Sequence, residues 1–401
     1  MLNAEIINKD EEIVKFVDDL LEEAVKQGVS DVHIEPQATN TRVRFRKDRK
    51  LYIPEGYDNI PKQLHEYIIA RIKVLTKTMK LDVKKRPQDG RIKSNILGRD
   101  FVFRLLVYPT IHGESINIFN MDDYLQQYTV EELFNNDINL IKIFRRNLKK
   151  EEGLILFTGP TTVGKSTFIA STINELAGTG VKIRTIEDPV ELQMDNTDQV
   201  QIDLYQGLDM TAALRSCCRG DVDVLYICEL RQFEVAHIAL EIGLNKGYKV
   251  LSTMHTNNGI STLFRFTEMG IKEYMTASAL ELVVGLRRTK KLCPHCKEKA
   301  DLLESEFEGL GLTEEDIQNG KFYKAKGCDK CFNTGYTGKL ALVEILEFTR
   351  SLKDAFVKGA DADEMEKLAK KEGVYHSLAE DTRKKFINGD IDIEEARIFT
   401  F

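Results

Sequence analysis

The sequence lacks the features of membrane-spanning, secreted and disordered proteins. None of its 401 residues belongs to a run approaching the roughly 18 apolar residues of a membrane span. Its N-terminus has no basic start followed by an apolar core, so it does not resemble a secretory signal. Hydrophobic residues make up 42% of the chain and charged residues 30%, which is typical of a soluble globular protein. We therefore expect a cytosolic protein of two or three domains.

An excess of positive charge is also missing. The formal net charge is −7, which implies no general affinity for nucleic acid, although local basic patches remain possible. No basic tract is interleaved with aromatic residues. Both observations disfavour an enzyme that acts on nucleic acid, and we expect no nucleic-acid partner.

The seven cysteines need an explanation other than disulfides, because cytosolic thiols stay reduced. Four of them form two C-x-x-C pairs with 31 residues between the pairs: Cys293, Cys296, Cys328 and Cys331. One pair alone would leave a redox role or chance open, but two pairs can close a tetrahedral thiolate shell around Zn²⁺. We predict a structural zinc site with His295 outside the shell. Buried, unreactive side chains are expected for the remaining three: Cys217, Cys218 and Cys228.

The most specific motif is a phosphate-binding loop. Residues 159–166 are Gly-Pro-Thr-Thr-Val-Gly-Lys-Ser, between the apolar run Gly153–Thr158 and a helical pattern. Backbone N–H groups of such a turn form an anion site at a helix N-terminus. Lys165 can reach the β- and γ-phosphates of a nucleoside triphosphate, and the Ser166 hydroxyl can ligate Mg²⁺. The residues expected to bind nucleotide in this loop are Gly159, Thr161, Thr162, Gly164, Lys165, Ser166 and Thr167.

The first 120 residues predict a smaller α+β domain. Residues 11–26 and 61–79 have apolar side chains at helical spacing, and strand-like runs occupy 31–35, 41–46, 91–93, 100–107 and 115–119. Residues 121–150 are polar, and we expect a linker and a helix there.

From Gly153 onward, short apolar strands alternate with helical patterns, which predicts an α/β fold with a parallel sheet. We expect a phosphate-loop ATPase core over 151–290, a zinc-binding subdomain over 291–335 and a C-terminal helical region over 336–401.

Three of these strands end in residues suited to nucleotide chemistry. Glu187 follows one strand, Glu229 another and His255 a third. A carboxylate at the phosphate edge can orient water, and a histidine there can sense the γ-phosphate. Taken alone, Glu229 could instead be a helix N-cap acid, and His255 an ordinary surface or core histidine.

Several further motifs follow one another in a fixed order. In the first half they are Ser30-Asp-Val-His-Ile-Glu-Pro, Arg42-Val-Arg-Phe-Arg, Arg71-Ile-Lys-Val-Leu, Pro87-Gln-Asp-Gly-Arg-Ile and Pro109-Thr-Ile-His-Gly-Glu. In the second half they are the phosphate loop, Ile186-Glu-Asp-Pro-Val-Glu, Cys228-Glu-Leu-Arg and Ser252-Thr-Met-His-Thr-Asn. Together they resemble the secretion ATPases that power type II secretion and type IV pilus assembly, over roughly residues 15–400.

The resemblance implies a homohexameric ring that hydrolyses ATP, with a RecA-like core preceded by a PAS-like domain. It implies a water-orienting role for Glu187, the second-motif acid at Glu229 and the histidine-box residue at His255. It also implies phosphate-directed arginines, for which a solvated strand face or a structural ion pair is the alternative: Arg91, Arg104, Arg215 and Arg219. The cysteine tetrad is usual in assembly and export members, whereas retraction members lack it.

The implied partners are an inner-membrane platform protein and a membrane-associated adaptor. The chain would be cytoplasmic and peripheral at the inner face of the cytoplasmic membrane. We expect no counterpart here of the extra N-terminal domain of many assembly members, so docking is expected to use other surfaces or a short N-terminal segment. The sequence does not distinguish a pilus, a type II secretion system or DNA uptake, and it leaves the ring symmetry open.

The chain departs from the family pattern at two positions. Thr162 and Cys228 stand where the family usually has glycine, which adopts backbone shapes that other residues resist. We expect a stiffened or distorted loop and a shifted Glu229. A nucleotide-gated scaffold with little turnover is therefore the alternative to an ATP-driven motor.

Overall fold

The computed structural model describes residues 9–47, 50–120, 128–245, 247–331 and 333–400. The chain divides into two compact units, Met1–Gln127 and Tyr128–Phe401. The domain boundaries expected near residues 120, 150, 290 and 335 stay predictions. Within the described ranges, no helix has the length and apolar character needed to cross a membrane.

The first unit consists of two helices and an antiparallel sheet. The helices are α1 (Lys9–Lys26) and α2 (Lys62–Thr76). The strands are β1 (Asp31–Pro36), β2 (Asn40–Lys47), β3 (Lys50–Tyr52), β4 (Ile60–Pro61), β5 (Gln88–Ile96), β6 (Arg99–Thr110) and β7 (Gly113–Asn120). The sheet has the order β3-β2-β1-β7-β6-β5, with β4 beside β2. All the elements expected in this part of the chain are present with small shifts at their ends.

The core of the first unit forms where the apolar faces of its strands, with period 2, meet those of its helices, with period 3.6. Alternate residues of β1 and β2 are buried, among them Ile34 and Phe45, and they face apolar positions of the helices such as Leu20 and Ile72. Helix α2 ends three residues before the expected 79, because Lys77 adopts a left-handed conformation with φ 58°.

The second unit is a mostly parallel sheet with helices around it. Its strands are β8 (Gly153–Thr158), β9 (Ile183–Glu187), β10 (Thr197–Gln201), β11 (Val224–Ile227), β12 (Lys249–Met254), β13 (Leu280–Leu292), β14 (Glu298–Lys299), β15 (Tyr323–Lys324), β16 (Tyr336–Glu347) and β17 (Tyr375–His376). Its helices are α3 (Val130–Leu133), α4 (Ile138–Leu148), α5 (Lys165–Ala177), α6 (Met210–Cys217), α7 (Phe233–Asn245), α8 (Gly259–Glu268), α9 (Glu273–Ala279), α10 (Glu314–Asn319), α11 (Arg350–Val357), α12 (Ala362–Glu372), α13 (Leu378–Ile387) and α14 (Ile393–Phe399).

The main sheet has the order β10-β9-β11-β12-β8-β13-β16-β17. Strands β10 to β13 in this order are parallel, and β16 and β17 are antiparallel to their neighbours. Strand β8 lies inside the sheet and is buried at all six positions. The residues after β8, β9, β11 and β12 therefore meet at one edge of the sheet.

Residues 128–150 pack within the second unit. Helix α3 begins with a capping box formed by Thr129 and Glu132. Phe134 and Phe144 contact each other and reach Phe157 of β8 and Phe168 of α5. These two helices therefore contribute directly to the core beside the phosphate loop.

Strand β16 is a difference from the sequence-based expectation, which placed residues 336–401 in a helical region. Residues 336–347 instead pair with β13 and continue the main sheet. Helices follow only after Phe348, with Leu352, Phe356 and Met365 buried on the sheet. Because β16 is fixed by pairing with a distant strand, local patterns did not reveal it.

Candidate functional site

The loop between β8 and α5 has the shape that an anion site needs. Gly159 has φ 141°, and a Cβ atom there would lie 2.4 Å from the Leu286 carbonyl oxygen. Gly164 has φ 102° and caps α5, whose first turn holds no acidic residue. The free N–H groups of this helix terminus therefore face the loop without a competing carboxylate.

Thr162 occupies a backbone conformation that favours glycine. Its φ is 64°, in the left-handed region, which costs an L-residue roughly 1–2 kcal/mol. Its hydroxyl donates to the Thr161 carbonyl at 2.6 Å, and its own carbonyl accepts from Arg288 at 3.3 Å. The departure noted from the sequence thus falls where the loop is strained.

Lys165 and His255 cross the same loop. The Lys165 ammonium donates to the carbonyls of Gly159 and Pro160, each at 2.7 Å. His255 Nδ1 lies 2.9 Å from the Gly159 carbonyl oxygen, and so must carry the proton of that hydrogen bond, and 3.4 Å from Lys165 Nζ. Both side chains donate to the Gly159 carbonyl, and this shared acceptor joins the residue after β12 to the residue that opens α5.

Glu229 extends this contact to β11. Its Oε1 lies 3.2 Å from His255 Nε2, and its Oε2 accepts from Arg231 at 2.7 Å. Three side chains singled out in the sequence, Lys165, Glu229 and His255, are therefore in one connected group. Their catalytic roles stay predictions.

Glu187 lies at the end of β9 and is only 5% exposed. Its Oε1 accepts from the Thr185 hydroxyl at 2.6 Å and from the Gln199 amide at 2.9 Å. Burial raises the pKa of Glu187 in spite of these two donors. A carboxyl group with a raised pKa is a stronger base than an exposed one, which suits it to accepting a proton from water.

Burial also affects the lysine of the loop. It lowers the pKa of Lys165 to about 8, against the opposing attraction of Glu229 and Glu191. A bound phosphate would favour the charged form again. Nucleotide binding and lysine protonation are therefore linked.

The four arginines implied by the resemblance lie in two places. Arg91 and Arg104 are in the first unit, directly opposite each other on β5 and β6, and Arg104 forms an ion pair with Asp89 at 2.8 Å. Arg215 and Arg219 are exposed, in and just after α6. Within the described residues, neither Arg215 nor Arg219 is bonded to the phosphate loop. The roles of all four toward a nucleotide stay predictions.

Two arginines of β13, Arg287 and Arg288, lie against the phosphate loop, and the sequence motifs did not identify them. Arg287 donates to the carbonyls of Leu286 and Asn257, and its Nη1 lies 3.2 Å from the position a Cβ of Gly159 would take. Arg288 donates to Thr162. The run Leu282-Val-Val-Gly-Leu followed by two arginines was the available signal, because it has the form of a buried strand with a basic end.

The cysteine tetrad forms one cluster. The four Sγ atoms lie within 4.8 Å of one another, and Cys331 Sγ is 3.7 Å from those of both Cys296 and Cys328. A tetrahedral zinc site with Zn–S bonds of about 2.3 Å needs sulfur atoms about 3.8 Å apart. The described residues therefore fit a four-thiolate metal site.

Backbone donors favour the thiolate form of Cys331, whereas burial raises the pKa of Cys296 to about 12. Cys331 Sγ accepts from the N–H groups of Cys328 and Gly335, each at 3.2 Å. Although burial opposes the change, these bonds help to lower the pKa of Cys331 to about 6. A thiol that ionises below neutral pH is prepared for a metal ion.

A sequence profile of the family described as "Type II/IV secretion system protein" matches residues 7–398. The chain is 34% identical over 393 residues to the type IV pilus assembly ATPase PilB of Pseudomonas aeruginosa, covering 98% of this chain and 68% of that protein. It is 33% identical over 392 residues to the type II secretion system ATPase E of Vibrio cholerae, covering 96% of this chain and 75% of that protein.

The fold has a counterpart among solved structures. The ATPase DotB of Legionella pneumophila superposes with a TM-score of 0.68 over 99% of this chain and 97% of that chain, at 17% identity. The chain therefore shares the α/β fold of DotB. From the profile match and the two sequence relatives, the chain belongs to the type II/IV secretion system protein family.

Proposed function

We propose that this chain is a motor ATPase that hydrolyses ATP to drive type IV pilus assembly or type II secretion. The observation that carries the proposal is the connected group of Lys165, His255 and Glu229 across the phosphate loop. It joins the phosphate-binding residues to the carboxyl ends of two further strands. The names of the relatives in both systems support the same activity.

The chain's own residues account for the main tasks of hydrolysis. The N–H groups at the start of α5 and the Lys165 ammonium hold phosphates. Glu187, with a raised pKa and two fixed donors on one oxygen, orients and deprotonates the attacking water. His255 contacts both Lys165 and Glu229, so it can report the state of the phosphates to β11.

Mg²⁺ is the metal that this activity requires. Ser166, in the first turn of α5, supplies a hydroxyl oxygen as a ligand, and the ion neutralises charge on the phosphates when bound. Glu229 lies at the same edge of the sheet and would help to hold the ion.

We also propose a fold type for each of the two units, an oligomeric state and partners. The second unit is RecA-like, supported by the phosphate-loop strand inside a parallel sheet and by one strand, β12, between it and the acid-ended β11. The first unit is PAS-like, supported by its antiparallel sheet with helices on it. The chain assembles as a homohexamer, remains cytoplasmic and peripheral at the membrane, and acts on an inner-membrane platform protein with a membrane-associated adaptor.

Zinc in the cysteine cluster is also proposed. Four thiols at tetrahedral spacing leave no position for substrate, so the metal is structural. It stabilises the segment from Cys293 to Gly335, which is fixed at its start by the Cys293 N–H to Gly335 carbonyl bond of 2.9 Å.

A nucleotide-gated scaffold is the second candidate, and the strained Thr162 is the observation that favours it. Release of phosphate from Mg-ATP by the wild-type chain and by Glu187→Gln separates the two. The motor requires wild-type turnover that the substitution removes. Comparable rates near zero in both proteins would support the scaffold and end the motor proposal.

A further inference from the structure

Glu344 is a fully buried carboxyl group that is not among the residues of the phosphate-loop site. It lies in β16, opposite Gly285 of β13, with a relative exposure of 0%. Its Oε1 accepts a hydrogen bond from the N–H of Gly259 at 2.9 Å. The hydroxyl of Tyr375 favours the charged form of the carboxyl group, and Oε2 makes no hydrogen bond to any described residue.

Two glycines make room for this carboxyl group. A Cβ on Gly285 would lie 2.4 Å from Glu344 Oε2, and one on Gly259 would lie 3.3 Å from Oε1. Neither glycine has a positive φ, so close approach and not backbone conformation explains the missing side chains. Both neighbouring elements are thus shaped around Glu344.

The carboxyl group supports the segment that carries His255. Gly259 is the first residue of α8 and lies four positions after His255. The segment contacts the phosphate loop through His255, binds Arg287 through the Asn257 carbonyl at 2.5 Å, and binds Glu344 through Gly259. Three contacts therefore fix its two ends and its middle.

Each element packed against Glu344 contributes one charged or polar group that affects its carboxyl group. Arg287 of β13 attracts the carboxylate, Glu366 of α12 repels it, and the N–H of Gly259 donates to it. The Tyr375 hydroxyl of β17 also favours the charged form. Burial is the largest influence and raises the pKa of Glu344 to about 7. Burial of a carboxylate on an apolar sheet face costs more free energy than burial of a neutral side chain, because the charged group loses more favourable hydration.

We propose that Glu344 is a positioning residue of the ATPase site, which holds residues 255–259 so that His255 and Arg287 stay against the phosphate loop. The inference rests on the proposed function, because it takes this loop to bind ATP. Glu344 touches neither the loop nor a nucleotide, and it acts through the N-terminus of α8 and through Arg287.

The test uses the full chain with isotope-labelled histidine, whose ring signals are recorded by NMR. His255→Gln identifies the signal of His255 among the seven histidines. In Glu344→Leu, which has no acceptor for the Gly259 N–H, we expect the His255 signal to move by more than its line width, and turnover of Mg-ATP to fall about tenfold as positioning is lost. The matched control is Glu395→Leu, at a buried acid that accepts from Thr289 and from the N–H of Lys290 on the same strand β13. It should leave both quantities unchanged.

Gly285→Ala is the second variant, and it keeps the charge of Glu344 but displaces the carboxyl group from Gly259. It should reproduce the movement of the His255 signal even if Glu344→Leu does not fold. An unmoved His255 signal with wild-type turnover in the folded variants would overturn the inference. A wild-type chain without ATP turnover would instead refute the proposed function, while the NMR comparison would still decide the role of Glu344.

Discussion

Burial gives several ionisable side chains around the phosphate loop pKa values closer to neutral than usual. It raises the pKa of Glu187 and of Glu344 and lowers that of Lys165. Glu344, with a pKa of about 7, and Lys165, with a pKa of about 8, change charge near neutral pH. Perturbed groups of this kind are concentrated at functional sites, because apolar surroundings that disfavour charge are costly elsewhere.

The affinity for nucleotide should depend on the protonation of Lys165. The pKa of Lys165 is lowered to about 8, so the free chain loses the cation as the pH rises above this value. Because phosphate binds the charged form, we expect full affinity for Mg-ADP below pH 8 and about a tenfold loss per pH unit above it. Fluorescence titration between pH 6.5 and 9.5 measures this. Lys165→Met should bind weakly at every pH, and a flat profile for the wild type would contradict the account.

Relief of backbone strain at Thr162 should raise ATP turnover and change the Tm only slightly. Thr162→Gly removes roughly 1–2 kcal/mol of left-handed strain, but glycine also adds about 0.5–1 kcal/mol of unfolded-state entropy. We therefore expect a change in Tm of at most a few degrees and a several-fold rise in turnover. Calorimetry and phosphate release test the two parts. Lower turnover in the glycine variant would show that the threonine is required.

The stability of the chain should reflect the buried Glu344. Its pKa is about 7 when folded and 4.5 when exposed, so the folded state binds the proton more tightly. This contribution to stability is complete below pH 4.5 and is lost as the pH rises to 7, by about 3 kcal/mol. Glu344→Gln should therefore gain stability relative to the wild type between pH 4.5 and 7. Thermal unfolding of both proteins at pH 4.5, 5.5 and 7.5 measures this, and a constant difference would contradict it.

Residues at strand ends could be predicted from the sequence, and residues fixed by distant pairing could not. Lys165, Glu229 and His255 each follow a local apolar run, and parallel strands bring such positions together. Glu344 acquires its environment only when β16 pairs with β13 across the whole zinc-binding segment. The contact of Arg287 with the phosphate loop likewise depends on β13 lying beside β8.

At the scale of elements, strand β13 connects the two sites. Arg287 and Arg288 lie against the phosphate loop, and Cys293 of the metal cluster follows the end of the strand directly. The Leu292 N–H donates to the Asp390 carbonyl at 2.9 Å, which attaches the strand to the C-terminal helices. Disturbance of the cysteine cluster should therefore affect both the C-terminal helices and the nucleotide site.

Removal of the metal should destabilise the second unit. We expect one zinc ion per chain in the purified protein and little or none in Cys331→Ser, with a Tm lower by about 5 °C or more because metal binding contributes to folding. Elemental analysis and calorimetry measure this. Cys218→Ser, which lies outside the cluster, is the control and should keep both values. A metal-free wild type or an unchanged Tm in Cys331→Ser would contradict the prediction.

Local sequence patterns predicted some of the helices and strands but not all of them. Strands β8, β9, β11 and β12 are short apolar runs between turns, and each lies within one or two residues of its expected place. Helix α2 and the alternating strands of the first unit were equally apparent. Strands β13 and β16 were not recognised, although β13 contains an apolar run, because each pairs with the other across the whole cysteine segment.

At the scale of the whole molecule, family membership and site geometry lead to the same function. The family match covers residues 7–398, and both units belong to the part that is shared with secretion ATPases. The chain spans 68% of the Pseudomonas relative and 75% of the Vibrio relative, so the comparison covers the greater part of proteins named for pilus assembly and type II secretion. The motor proposal requires that this chain turn over ATP and not only bind it.

The steady-state rate of phosphate release from Mg-ATP, with and without the Glu187 carboxylate, tests this most directly. Glu187→Gln keeps the size and the buried position of the side chain but cannot accept the proton of water. We expect turnover to fall about a hundredfold or more while the affinity for ATP stays within a few-fold of the wild type. Asp198→Asn, an exposed acid on the adjacent strand β10, is the control and should retain wild-type turnover. Equal rates in the wild type and Glu187→Gln would contradict the account.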